Sequence, residues 1–157
     1  MLIHDKPLEA ITNYLRIEGG PGTAGQPTAP QFADIARAGY QVVINLAMPD
    51  SDDALGNEQE IVEAEGMSYV PIPVVWENPR VRDMERFSFV MNENEGREVF
   101  VHCAMNMRVS AFVYLYRVIR LGVPKKVALA DMHRIWQPNA TWQSLVDQVL
   151  TRYGLND

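Results

Sequence analysis

The sequence has few of the features that mark secreted or membrane-spanning proteins. Its 157 residues contain one cysteine, so no internal disulfide can form, and a free thiol suits a reducing compartment. No apolar run approaches the roughly 20 residues that cross a bilayer. The opening residues, MLIHDKP, lack the basic and apolar segments of a signal peptide. We therefore expect a cytoplasmic protein without membrane contact, or a periplasmic one if a signal peptide has been removed.

Clustered positive charge is also missing from the sequence. The net charge is −6, and Lys125 and Lys126 form the one basic cluster. Nucleic acids and anionic membranes are bound mainly through Lys and Arg on phosphate, so we expect neither as a partner. No group of His, Cys and Asp has the spacing of metal ligands, and we predict no metal and no cofactor. The oligomeric state is left open.

Composition and patterning predict a single α/β domain over residues 1–157. Hydrophobic residues make up 47% and charged residues 22%, which is ordinary for a globular protein. Residues 40–46 form an apolar run typical of a strand that is buried on both faces. Residues 67–75 also have the pattern of a strand, but Pro71 and Pro73 indicate that it lies at an edge or ends early. Strands alternating with helices predict a central, mostly parallel sheet flanked by helices.

The predicted helices follow from apolar spacing and capping residues. Thr28 and Gln31 have the form of a capping box at the start of a helix, and Gly39 is the signal that ends this helix. The other helices are predicted over residues 58–65, 82–92, 109–121, 125–136 and 141–153.

The one cysteine, Cys103, lies where a run of strand-forming residues, 98–101, gives way to the helix predicted from Val109. Amides of a strand-to-helix turn and the helix N-terminus converge on one spot, where they favour a thiolate and bind an oxyanion. Arg108 lies five positions beyond the cysteine. We therefore predict a phosphate-binding loop between the strand and the central helix. The alternative is an inert cysteine at the end of a buried strand.

His102, Cys103 and Ser110 match the His-Cys-x5-Arg-Ser/Thr loop of cysteine-based protein tyrosine and dual-specificity phosphatases. Arg108 departs from this pattern, because it follows four intervening residues, and Val109 stands at the arginine position. Asn106 stands where the mid-loop glycine is usual. From Asn13 onward the chain resembles a bacterial phosphatase subgroup that is related to domains found with β-lactamase-like hydrolases.

This resemblance implies hydrolysis of phosphomonoesters on proteins or small molecules through a cysteinyl-phosphate intermediate. Cys103 would be the nucleophile, Arg108 the bidentate phosphate ligand, and Ser110 the donor of a hydrogen bond to the departing thiolate. Because the loop is short, we expect weak activity on ordinary phosphatase substrates. The residues implied in substrate binding are His102, Ala104, Met105, Asn106, Met107 and Val109.

The general acid is not evident from the sequence, because the region where the family has an aspartate contains none. Glu77, beside Trp76, is the first candidate for protonating the leaving oxygen. Asp83 is the second, but an acid in the first turn of a helix usually serves the helix dipole.

Two alternative functions remain open from the sequence. One is a phosphate- or anion-binding domain that has lost efficient catalysis. The other is a sulfurtransferase, since a Cys-x4-Arg loop also resembles that of rhodaneses, which usually have Gly where Asn106 stands and Ser where Val109 stands. Residues 25–28, 42–46 and 69–74 resemble the phosphatase subgroup, so a phosphatase is the leading prediction.

Overall fold

The computed structural model describes residues 5–156 and has a five-stranded sheet at its centre. The order of the strands is β1-β2-β5-β3-β4, and only the β1–β2 pair is antiparallel. The predicted class, α/β with a mostly parallel sheet, is confirmed. The strands are β1 (Leu15–Arg16), β2 (Gly22–Ala24), β3 (Val42–Asn45), β4 (Ser68–Pro71) and β5 (Val99–His102).

Helices cover both faces of the sheet. A short 3-10 helix (Lys6–Ala10) precedes the first strand. The α-helices are α1 (Ala29–Ala38), α2 (Glu58–Ala64), α3 (Val81–Glu93), α4 (Met107–Ile119), α5 (Lys125–His133) and α6 (Ala140–Arg152). Two separate apolar clusters fill the interfaces, a larger one around α4 and a smaller one between the sheet and α1. Within residues 5–156, no helix combines the length and the apolar character that crossing a bilayer requires.

Local sequence signals explain where several elements begin and end. The side chain of Gln31 accepts a hydrogen bond from the amide of Thr28 at 2.9 Å, as in a capping box. Gly39, which has φ 114°, directly follows the last residue of α1 and caps its C-terminus. The strand β4, which contains Pro71, lies at the edge of the sheet as predicted. A proline is tolerated there because its missing N–H removes no bond from a neighbouring strand.

The central helix α4 begins at Met107, earlier than the predicted start at Val109. Asn106 has a left-handed backbone (φ 68°) and ends the preceding loop, so the helix can start at the next residue. The helix ends at Ile119, before the predicted end at residue 121, and Gly122 follows in a left-handed conformation. Helix α4 is buried on nearly all sides, as its continuous apolar sequence predicts.

Candidate active site

Cys103 follows the last residue of β5, a strand that lies between β2 and β3. Its side chain is only 1% exposed, and its amide donates to the carbonyl oxygen of Ala24 at 3.3 Å. The residue therefore sits at the carboxyl end of a parallel strand, which is where binding sites form in sheets of this kind.

The early start of α4 places Arg108 in the first helical turn rather than in the loop. The first four amides of a helix have no intrahelical acceptor and carry partial positive charge. Met107 and Arg108 contribute two of these amides and also line the cavity at Cys103. An anion in this cavity would therefore meet the positive end of α4 as well as the guanidinium.

The cavity at Cys103 has a volume of about 130 Å³. Its walls are mostly apolar, and Arg108 is the charged residue among them. Of the predicted substrate-binding residues, Ala104, Met105 and Met107 line it. The lining residues are Trp76, Cys103, Ala104, Met105, Met107 and Arg108.

The guanidinium of Arg108 is only partly occupied by protein acceptors. Its Nη1 donates to the carbonyl oxygen of Val74 at 2.9 Å, and its Cζ lies 5.7 Å from the ring centre of Trp76. Its Nε is buried and has no hydrogen-bond partner among residues 5–156. A buried donor without a partner is costly, so the guanidinium is suited to bind an anion in the cavity.

Three predicted binding residues do not line the cavity. Val109, at the family's arginine position, is fully buried in the core around α4. Asn106 is also fully buried, and its side-chain amide donates to the carbonyl oxygen of Asn13 (2.8 Å) and to the hydroxyl of Thr23 (3.1 Å). His102 points to the side of the sheet that carries α1, where its ring packs edge-on against Phe32.

The hydroxyl of Ser110 is engaged away from Cys103. It donates to the carbonyl oxygen of Met107 at 2.9 Å and accepts a hydrogen bond from the indole of Trp136, also at 2.9 Å. Among the hydrogen bonds of residues 5–156, none joins Ser110 to the cysteine. To donate to a thiolate, the hydroxyl would have to release Met107.

The three tryptophans of the chain form one cluster behind Arg108. The ring centre of Trp76 lies 5.4 Å from that of Trp136 and 5.7 Å from that of Trp142, while Trp136 and Trp142 are 6.4 Å apart. Trp142 also donates to the carbonyl oxygen of Trp76 at 2.9 Å. Through this cluster, the helices α4 and α6 hold the ring that stacks on the guanidinium.

Neither candidate acid lines the cavity. Glu77 is exposed in the turn that follows Trp76, next to the wall of the cavity in sequence. Asp83 accepts a hydrogen bond from the amide of Arg80 at 2.9 Å and lies in the first turn of α3. Its place in the first turn is the one that the helix-dipole interpretation of Asp83 assumed, and its carboxylate also caps the helix.

A buried acid that sequence reasoning missed lies behind Cys103. The carboxylate of Glu58, on α2, is 2.6 Å from Nε2 of His102, and Nδ1 of that ring is 3.2 Å from the carbonyl oxygen of Cys103. Gln26 and Asn45 also donate to Glu58, at 2.8 and 3.2 Å. The group links α2, β3 and the loop after β2 to the residue that bears the thiol.

The pKa of Glu58 is lower than its ordinary value. Burial raises it, but the hydrogen bond and the charge of His102, with hydrogen bonds from Gln26 and Tyr69, outweigh the effect of burial.

Among residues 5–156, no three His, Cys, Asp or Glu side chains form a group that could hold a metal ion.

Comparison with known proteins connects this geometry to a family. A model of the family described as DSP-PTPase phosphatase fused to NAD+ kinase matches residues 22–146. The crystal structure of a DUF442 candidate phosphatase from Shewanella putrefaciens CN-32 is 36% identical, with a TM-score of 0.88 over 95% of this chain and 98% of that one.

Two further relatives extend the comparison. A β-lactamase hydrolase-like protein of Xylella fastidiosa is 33% identical over 116 residues, which are 70% of this chain and 26% of that protein. This chain therefore matches only a minor part of that curated relative. The protein Tk-PTP, solved in its active form, shares the fold, with a TM-score of 0.73 at 19% identity over 89% of this chain and 97% of that one.

These similarities favour a phosphatase over the anion-binding and sulfurtransferase alternatives, and they confirm the predicted resemblance. The chain belongs to the bacterial family of dual-specificity and tyrosine-type phosphatases described as DSP-PTPase phosphatase fused to NAD+ kinase.

Proposed function

We propose that the chain hydrolyses phosphomonoesters through a cysteinyl-phosphate intermediate formed at Cys103. The observation that carries this proposal is that Cys103 and Arg108 line the same cavity. A phosphoryl group bound there would pair with the guanidinium next to the sulfur that attacks it.

In the first step, the thiolate attacks phosphorus, so that the S–P bond forms as the P–O bond to the leaving group breaks. The leaving oxygen takes a proton from the general acid. In the second step, the carboxylate left by the general acid takes a proton from the attacking water, the new O–P bond forms as the S–P bond breaks, and inorganic phosphate leaves with the thiolate and the acid restored. Arg108 and the N-terminus of α4 stabilise the charge on the phosphoryl oxygens in both steps.

We assign proton donation to Glu77. The support for this assignment is its position directly after Trp76, which forms one wall of the cavity. The side chain is exposed in a turn, so it is free to reach the leaving oxygen of a bound ester. Asp83 is less suited to this role, because its carboxylate already accepts from the amide of Arg80.

For Ser110, the contacts support a role in positioning rather than in donating a hydrogen bond to the departing thiolate. Its hydroxyl fixes Trp136, which packs against the ring of Trp76, and that ring in turn stacks on Arg108. We therefore include Ser110 as a residue that acts on the site through the tryptophan cluster.

The proposed substrate is an ester whose phosphate enters the cavity and whose organic group meets apolar walls. Met105 is 46% exposed at the rim, and Trp76 and Met107 are partly exposed. These side chains suit a flat or apolar organic group. An aryl phosphate is therefore the appropriate first probe.

The experiment measures phosphate release from an aryl phosphate by the wild type, Cys103→Ser and Arg108→Lys. We expect no release by Cys103→Ser and a loss of roughly 10²-fold in kcat/KM for Arg108→Lys, since lysine lacks the fork that holds two phosphoryl oxygens. Mass spectrometry of the wild type after a rapid acid quench should detect phosphate on Cys103.

Wild-type activity that survives in Cys103→Ser would refute the mechanism. Transfer of sulfur from thiosulfate to cyanide by a wild type that releases no phosphate would instead establish the sulfurtransferase alternative. Circular dichroism of each variant verifies that it is folded.

A further inference from the structure

Two asparagines shape the backbone around the short loop. Within residues 5–156, Asn13 (φ 50°) and Asn106 (φ 68°) are the two non-glycine residues with a left-handed backbone. Asparagine tolerates this conformation better than most residues, but the conformation is uncommon and must be held by its surroundings. The two residues are 93 positions apart in the sequence, and they hold each other.

Hydrogen bonds run in both directions between the two segments. Nδ2 of Asn13 donates to the carbonyl oxygen of Met105 at 3.0 Å, and Nδ2 of Asn106 donates to the carbonyl oxygen of Asn13 at 2.8 Å. Asn106 also donates to the hydroxyl of Thr23 at 3.1 Å. We call Asn13 and Asn106 with these bonds the asparagine clamp.

The clamp affects which backbone groups of the loop can face an anion. Asn13 engages the carbonyl oxygen of Met105, and the amide of Gln26 engages that of Ala104 at 3.0 Å. Neither Asn13 nor Gln26 lines the cavity at Cys103. Both carbonyls are thus held toward partners outside the cavity, where their negative ends do not repel a bound anion. Because the N–H of a trans peptide points opposite to its C=O, the N–H groups of these two peptides point away from Gln26 and Asn13 and can face an anion.

The same bonds determine where α4 begins. Asn106 is the residue directly before Met107, and its left-handed conformation lets the helix start there. Arg108 consequently occupies the second helical position, from which it reaches both Val74 and Trp76. Without the clamp, the loop could adopt other conformations and the position of the guanidinium would be less well fixed.

We propose that Asn13 is a positioning residue of the phosphate site, and that the asparagine clamp takes over the role of the mid-loop glycine in the shortened loop. The inference rests on the proposed function, since it concerns the same anion site. It predicts that a residue far upstream of the cysteine controls the affinity of the site without touching the bound ion.

The test uses the full chain with Asn13→Gly, Asn106→Gly and the double variant. Glycine adopts the left-handed conformation freely, so each substitution removes the side-chain bonds and keeps the backbone allowed. Asn94→Gly is the matched control, because Nδ2 of Asn94 also donates to a backbone carbonyl, that of Val90 at 2.8 Å. Asn94 directly follows α3 and does not line the cavity.

Two measurements are made on each protein. The first is the Kd of inorganic phosphate, obtained from protection of Cys103 against iodoacetamide. The second is hydrogen–deuterium exchange of the segment 103–107 without phosphate. We expect each clamp variant to bind phosphate about tenfold more weakly, which corresponds to the free energy of one hydrogen bond. We also expect the amides of segment 103–107 to exchange faster in each clamp variant. The double variant should lose less binding free energy for phosphate than the two single variants lose together, because the two residues form one contact. Asn94→Gly should match the wild type.

The outcomes separate this inference from the proposed function. If phosphate protects the wild type and Asn13→Gly equals the wild type in both measurements, the clamp is refuted and the anion site stands. If phosphate does not protect the wild type but the clamp variants exchange faster in the loop, the asparagines hold the loop and the phosphate site is refuted. Equal changes in Asn94→Gly would show a general loss of stability and overturn the inference.

Discussion

At the scale of single residues, a buried pair formed by Glu58 and His102 lies behind Cys103. Glu58 and His102 are 2.6 Å apart and nearly inaccessible to solvent. Both ring nitrogens of the histidine lie near oxygens, one of Glu58 and one of the carbonyl of Cys103. Removing one partner of such a pair leaves the other buried without compensation, which is strongly destabilising.

Glu58→Gln should therefore lower the free energy of unfolding at neutral pH by about 3 kcal/mol. The pKa of Glu58 is lowered by folding, so its contribution to stability is complete above its unfolded value of about 4.3 and is lost as the pH falls through the lower folded value. Urea denaturation at neutral pH and below about pH 4 measures this, and the variant should lose less stability on acidification than the wild type.

Glu60→Gln, on the exposed side of the same helix, is the control and should behave as the wild type does. An identical pH dependence in Glu58→Gln and the wild type would show that this carboxylate does not contribute to acid sensitivity.

The proposed acid gives a second residue-scale prediction. Glu77→Gln keeps the shape of the side chain but cannot protonate a leaving oxygen. It should slow hydrolysis of an alkyl phosphate, whose leaving group needs a proton, by about 10²-fold or more, and it should affect a nitrophenyl phosphate much less. Steady-state kcat/KM on both substrates measures this difference. An equal effect on both, or the same selective loss in Asp83→Asn, would reject the assignment.

The sequence predicts those residues of the site whose partners lie nearby in the chain. Cys103 and Arg108 lie five positions apart, and their meeting at one cavity follows from a strand-to-helix turn. Glu58 was not predictable in this way, because its partner lies 44 positions away and an acid in the first turn of a helix is usually explained by the helix dipole. The same applies to Ser110, whose contact with Trp136 depends on how a later segment packs.

At the scale of secondary-structure elements, the start of α4 replaces part of the longer family loop. Because Arg108 belongs to the helix, its direction is set by helical geometry rather than by loop conformation. Sequence patterning found the helix itself from its apolar residues. Its first residue was missed, because the left-handed conformation of Asn106 depends on contacts with Asn13 and Thr23 that no local pattern reports.

Inserting one alanine between Met107 and Arg108 restores the five-residue spacing of the family and tests this arrangement. One helical residue rotates all later side chains by about 100°. We expect the guanidinium to leave Val74 and Trp76, and kcat/KM on an aryl phosphate to fall by about 10²-fold or more. The control inserts an alanine after Gly122, beyond the helix. A rise in activity with the first insertion would show that loop length, not the direction of the arginine, limits the rate.

At the scale of the whole molecule, the binding cavity is a small cationic feature of an acidic protein. The net charge is −6, and Arg108 is the charged residue among those that line the cavity. The overall charge and the α/β class with a mostly parallel sheet were both accessible from the sequence, since alternating strands and helices permit few arrangements. The size of the cavity was not, because it depends on how the tryptophans and methionines pack around it.

This charge distribution predicts the dependence of the reaction on salt. When an ester carries phosphates beyond the one being cleaved, the residues that line the cavity offer no second cationic side chain to bind them. The acidic protein as a whole repels their additional negative charge. The kcat/KM of such an ester should therefore rise with ionic strength as the repulsion is screened. A mono-aryl phosphate should show a weaker dependence. Parallel measurements at low and high concentrations of sodium chloride test this, and a decrease for the multiply charged ester would indicate a basic surface near the cavity.

The tryptophan cluster gives the protein an intrinsic optical reporter. Trp76, Trp136 and Trp142 are all the tryptophans of the sequence, and they lie in mutual ring contact directly behind the guanidinium. The ultraviolet-excited emission of the molecule thus originates beside the cavity at Cys103. A ligand that displaces Arg108 from the indole face alters the surroundings of the emitting rings. Occupancy can therefore be followed in real time without an attached dye.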